Sequence, residues 1–383
     1  MAIEVYSRNN PLIPTNIKVN LNRRTLLFNV TAFAILFVGY FLTTGTKLIE
    51  SYGAKDAFRF VAVLLFLWNI ILERKIRVNT AVSLFVLLIF FTLGQFQIVI
   101  NMVFLVLILA SIDRLNAKEV AVAFLVPTII VVLLHAMLFN TGQLVGQSTE
   151  FAGRTRSTLG FTNANQASAI YLSFVILAVF SHLQFRTKAS LFLLITSFIV
   201  AFAVFQITDT RTATLALFFF LLLQILEFLF HRLKAYRNSI LFVGVTLPFI
   251  ASAITYYLTI SEDPDLDILL SLRPYFFAKF MNNATVLDFL LGWSTVDNTG
   301  VDNLFLMLLS GVGAIGYLII MLIISYLIFH LNPKFISIVI VLMIVSIFES
   351  FLIRPEIPVS ALFLHLLISR QLRQVEQAGI QRR

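Results

Sequence analysis

Apolar runs of about 15 to 25 residues, each close to the length that crosses ~30 Å of hydrocarbon, recur from one end of the chain to the other. In lipid the backbone must satisfy its own hydrogen bonds, so runs of this kind imply an all-α integral membrane protein. About twelve transmembrane helices are expected, near 25–44, 57–73, 78–93, 96–112, 120–140, 164–182, 189–207, 211–230, 239–258, 302–329, 335–350 and 357–369. The last two are short, as tilted or partly re-entrant spans are. Of 383 residues, 59% are hydrophobic and 12% charged, against roughly 25% charged in a soluble domain. The chain has no cysteine, which excludes a disulfide, a thiol nucleophile and a Cys-based metal site.

A net charge of +9 could indicate nucleic acid, but the cations lie mostly in short connections between the apolar runs. Membrane topology explains them, and no nucleic-acid partner is expected. With both termini cytoplasmic, 19 of the 28 Lys and Arg fall on the inner side and every inner loop holds at least one. Residues 1–24 then form a cytoplasmic tail, 25–369 one multi-span membrane domain, and 370–383 a basic cytoplasmic tail. The first apolar run lacks a small-residue cleavage site and reads as a retained span. Two outer segments are long, 141–163 and 259–301. Within the second, residues 271–281 (SLRPYFFAKFM) mix Arg273 and Lys279 with four aromatics, the pattern of a short interfacial helix.

Five arginines run against this topology: Arg154, Arg156, Arg211, Arg273 and Arg354 all fall on the outer side. Cations held at an outer membrane edge are costly and call for an anionic partner. In GRTRSTLGFTNANQ (153–166), Thr162 or Asn163 can cap the following span. Its N–H groups beside two arginines form a phosphate-binding arrangement, or else a capped, solvated loop. In TDTRT (208–212), Arg211 opposes the dipole of the helix it opens, unless paired locally with Asp209. Arg273 binds an anion or snorkels to the headgroups. Asp302 and Asn303 begin the tenth span as caps or as chemistry. The small residues Ser310, Gly311, Gly313, Ala314 and Gly316 would admit a close helix or break the span. Glu349 lies beside Arg354 as a salt bridge or as a base. His135 and His365, alone in their spans, read as packing or hydrogen bonding. If the bundle gathers these outliers, they make a cationic outer cavity with carboxylates nearby. A lipid diphosphate is the anion found at that depth.

This combination resembles the O-antigen polymerase/O-antigen ligase superfamily of bacterial membrane glycosyltransferases. The resembling residues are Arg154–Asn165 (RTRSTLGFTNAN), Thr208–Thr212 (TDTRT), Arg273, Leu291–Trp293 (LGW) and Val301–Leu309 (VDNLFLMLL) with the glycines after it. They span about residues 140–355. The resemblance implies a GT-C-like, metal-independent polymerase without cofactors, in the cytoplasmic membrane with its site facing outward. Its donor and acceptor would be undecaprenyl-diphosphate-linked glycans, its product O-antigen, capsule or exopolysaccharide. The bilayer, a chain-length regulator and a flippase would be its partners. By the same resemblance Arg154, Arg156, Arg211 and Arg273 engage lipid diphosphates, and Asn163, Asn165, Asn303 and Arg354 contact other parts of the substrate. Asp302 stands where ligases of the superfamily place a histidine base, which favours a polymerase. Glu349 is the second candidate base. Two alternatives remain. One is a flippase for lipid-linked oligosaccharides, a transporter of about twelve spans. The other is an O-antigen-type ligase.

Overall fold

The computed structural model describes residues 15–51, 53–72, 96–112, 115–151, 154–230, 233–261, 263–270, 273–282, 285–292, 303–350, 352 and 354–368. Its helices in chain order are α1 (Thr15–Tyr40), α2 (Ala54–Leu72), α3 (Phe96–Ile112), α4 (Ala117–Asn140), α5 (Ala164–Phe185), α6 (Lys188–Ile207), α7 (Arg211–Phe230), α8 (Lys234–Ile260), α9 (Pro264–Leu269), α10 (Arg273–Asn282), α11 (Val286–Leu291), α12 (Leu304–Phe329), α13 (Ile336–Val345) and α14 (Pro358–Ile368). Among the described residues seven are long and apolar enough to cross a membrane: α1, α4, α5, α6, α7, α8 and α12. This is a multi-pass all-α membrane protein. α13 and α14 are short, at 10 and 11 residues, as the brevity of their apolar runs implied. The expected span near 78–93 lies outside the described residues. α1 starts at Thr15, well before the expected boundary at 25, and ends in a π turn, Phe41–Gly45.

Local chemistry sets several helix starts. Asn116 accepts from the N–H groups of Lys118 and Glu119, and the Glu119 carboxylate accepts from the Asn116 N–H, a capping box that opens α4. Thr187 and Ser190 repeat the device at α6. Burial then sorts the helices. In α5, 78% of the most apolar stretch is buried, against 22% in α7 and α12. α5 is therefore an axis of the bundle, packed between α4 and α6, while α7 and α12 offer apolar flanks to lipid. Buried polar groups bind helices together where hydrocarbon offers no hydrophobic drive between them. At one such clasp Ser111 donates to Asn29, while Asn29 and Asn69 donate to the Ser111 carbonyl, joining α1, α2 and α3.

The antiparallel path sends the polar connections to two opposite ends. At the first, Thr162 N–H donates to the Gly45 carbonyl, Leu304 N–H donates to the Ser346 carbonyl, and Arg59 pairs with Glu356. At the second, Ser337 links Gln224 to Glu227.

Two features of the first end differ from a plain bundle. The connection after α4 holds a β-hairpin, β1 (Ser148–Phe151) against β2 (Arg154–Ser157), with Thr149 opposite Arg156. α12 is broken at Gly313, whose φ of 66° and ψ of 173° are non-helical. A Cβ there would stand 2.1 Å from the Leu290 carbonyl oxygen, so the missing side chain lets the end of α11 press against the break. Both outcomes expected of this small-residue stretch, a broken span and a close approach, occur at one residue.

Candidate functional site

The hairpin is fastened from below. His135, buried in α4, bonds the Leu159 carbonyl through Nε2 at 2.9 Å and the Tyr171 hydroxyl through Nδ1 at 2.7 Å. A carbonyl only accepts, so Nε2 carries the hydrogen and Nδ1 accepts from tyrosine. Leu159 and Gly160 both adopt left-handed backbone, with φ of 51° and 82°. A Cβ on Gly160 would lie 2.7 Å from the Leu144 side chain. These two residues turn the chain from β2 toward α5, with His135 holding the Leu159 carbonyl in place. Asn163 caps α5 by accepting from the Gln166 N–H at 2.9 Å, as its position before the span implied.

Above this base, Arg156 reaches across two elements. Its Nη2 donates to the Asn165 side-chain oxygen at 3.0 Å, and its Nε donates to the Thr208 carbonyl at 3.4 Å. Thr208 and Thr210 are buried, with hydroxyls 3.1 Å apart, and Asp209 between them has φ 45°. Arg211 opens α7 and is exposed. Thr212, one residue on, accepts from Arg273 Nη1 at 3.3 Å. Arg273 Nη2 donates to Glu349 at 2.8 Å, and the guanidinium carbon lies 5.5 Å from the centre of the Phe348 ring. A continuous track of side chains thus runs from β2 and α5 through the 208–212 turn to α10 and Glu349. Arg154 opens β2, two residues before Arg156.

α10 is held in this track by Phe277 and Phe280, both almost fully buried, while Tyr275 is exposed; the helix packs on α8. The aromatic–basic mixture read as an interfacial helix does form a helix, and its aromatic residues divide between core and surface.

Asn303 has no exposed surface. Its oxygen accepts from the Leu306 N–H at 2.8 Å, and its amide donates to Thr255 at 3.2 Å and to the Ile347 carbonyl. It is an N-cap that also clasps α8, α12 and the end of α13. Asp302, its neighbour and the first candidate base, lies outside the described residues. Arg354 is half-buried and donates to Ser350 at 3.3 Å.

One pair escaped the sequence reading. Arg59, in α2, forms a salt bridge with Glu356, which is 3% exposed. The available signal was the position of Arg59 inside an apolar run, where a cation requires a partner. Among the described residues no cluster of His, Asp or Glu suits a metal ion. No family model, curated protein or solved structure matches this chain.

Proposed function

We propose that this protein is a glycosyltransferase of the cytoplasmic membrane. It joins undecaprenyl-diphosphate-linked oligosaccharide repeat units into O-antigen, capsule or exopolysaccharide on the outward face. In the topology expected from the charge pattern, with about twelve spans and both termini inside, the hairpin, the 208–212 segment, α10 and Glu349 belong to that face. The observation that carries this reading is the track itself. Arginines 156 and 273 are far apart in the chain, yet they bond to opposite ends of one five-residue segment, at Thr208 before α7 and Thr212 in its first turn. Arg211 stands between those two contacts.

In the proposed reaction an acceptor sugar hydroxyl attacks the anomeric carbon of the donor. The bond from that carbon to the diphosphate breaks as the new glycosidic bond forms. Arg154, Arg156, Arg211 and Arg273 stabilise the departing diphosphate, whose charge grows in the transition state. Glu349 or Asp302 takes the hydroxyl proton. A guanidinium carries five N–H donors, and Arg273 uses one from each terminal nitrogen on Thr212 and Glu349. It can therefore meet a phosphate oxygen and still steer the Glu349 carboxylate. Asn163, Asn165 and Arg354 contact other parts of the substrate in this reading, while Asn303 acts by positioning the start of α12.

Purified protein in liposomes supplied with lipid-linked repeat units tests this. Longer lipid-linked chains support polymerisation; transfer to a different lipid or protein acceptor identifies a ligase instead. The break at Gly313 favours a second reading, since discontinuous helices occur in transporters. A flippase would leave chain length unchanged and move the substrate across the bilayer.

A further inference from the structure

A cavity of about 530 Å³ opens at the end of the bundle opposite the arginine track. It lies where α5 and α7 end and α8 begins, closed by the 332–334 turn. Three cationic side chains line it, Arg186, Arg237 and Lys334, against one carboxylate, Glu227. Glu227 accepts from Ser337 at 3.3 Å, and Ser337 accepts from Gln224 at 2.8 Å, so that acid is held by hydroxyl chemistry. Lys334 is pushed below the usual lysine range by burial, and next by the charge of Arg186. Such a pairing of like charges at a partly buried site favours an incoming anion. The Tyr236 hydroxyl oxygen, also at the cavity, is buried without a hydrogen-bond partner among the described residues. Arg186 has φ 52°, a left-handed helix-end position usually given to glycine or asparagine. Its guanidinium is thereby carried by a turn that leaves α5 at the cavity.

We propose that this cavity binds the phosphate headgroup of an anionic phospholipid from the leaflet at that end. The volume falls in the ligand-pocket range of ~300–1,000 Å³. The site stands where candidate spans terminate, at headgroup depth. Leu183 and Ile240 supply an apolar wall along which an acyl chain can descend. Arg186, Arg237 and Lys334 hold the phosphate by charge-assisted bonds, and the Tyr236 hydroxyl donates to it.

Native mass spectrometry of the full chain tests this, after reconstitution in phosphatidylcholine nanodiscs with and without phosphatidylglycerol. The unaltered protein should retain phosphatidylglycerol in preference to phosphatidylcholine. Lys334→Gln and Arg186→Asn should each cut that retention roughly tenfold, the scale of one charge-assisted contact. Asparagine suits the left-handed backbone, so a folding defect is not expected from the second variant. Lys188→Ala removes an exposed cation at the same end but outside the cavity, and should retain lipid normally. Direct binding of millimolar inorganic phosphate in lipid-free detergent, lost in Lys334→Gln, would assign the same phosphate chemistry to a soluble source. Equal retention of the two lipids, or unchanged phosphatidylglycerol retention in both cavity variants, overturns the proposal.

Discussion

Arg273 and Glu349, 76 positions apart in sequence, meet at 2.8 Å, with side chains only 17% and 15% exposed. A pair this sheltered is expected to couple α10 to the end of α13 more strongly than a surface ion pair would. Arg273→Ala removes the guanidinium bonded to a sheltered carboxylate and should cost about 1–3 kcal/mol. Glu349→Gln should cost less, because the amide oxygen can still accept. The double variant is expected to be more stable than the sum of the singles implies, by about 0.5–3 kcal/mol. Thermal unfolding in nanodiscs checks this, and strict additivity would show that the pair does not couple the elements.

Arg156 joins Asn165 and the Thr208 carbonyl. Arg156→Ala should abolish chain extension while the protein still inserts and purifies. Arg156→Lys should restore little, because an ammonium lacks the planar fork that spans two acceptors. Polymer length on glycan gels is the readout. Normal lengths in both variants would remove Arg156 from the site.

The base can be assigned between two carboxylates. Asp302→Asn and Glu349→Gln each preserve shape and hydrogen bonding while removing the proton acceptor. The variant that binds lipid-linked substrate but lacks turnover marks the base, with a loss of about 10²–10⁴-fold. If both turn over normally, neither carboxylate takes the proton.

Gly313 and Gly142 separate backbone strain from steric clash. Both have positive φ, 66° and 73°, but only Gly313 faces atoms that a Cβ would strike; Gly142 has nothing within 4 Å. Gly142→Ala should cost about 1–2 kcal/mol, the left-handed penalty alone. Gly313→Ala should cost clearly more and disturb the contact of α11 with α12. Comparison of the two melting temperatures decides it; equal losses would mean that α11 yields without strain.

The long spans were legible because the length of an apolar run alone defines them, and α5, α6 and α7 begin within a residue or so of the expected positions. The hairpin was not. Its strands, STEF and RTRS, hold one apolar residue, Phe151, so they lack the alternation that marks a half-buried strand. The arginines announced themselves by sitting on the wrong side of the charge pattern, yet their partners are long-range. Glu349 was read beside Arg354, five positions away, and its bond to Arg273 on α10 lies beyond what local spacing can indicate. Glu356 stands 297 positions from Arg59, a separation that only helix packing closes. The cavity at the opposite end was also hidden, because Arg186, Arg237 and Lys334 satisfied the inner-side charge rule and so invited no further question.

The central claim is that arginines along the track bind a lipid diphosphate, and equilibrium binding of a polyprenyl diphosphate to protein in phosphatidylcholine nanodiscs measures it directly. Unaltered protein should bind saturably. Arg156→Ala, Arg211→Ala and Arg273→Ala should each weaken binding by roughly tenfold or more, while Lys334→Gln at the far end leaves it unchanged. The same dissociation constant in all three arginine variants as in unaltered protein would contradict it.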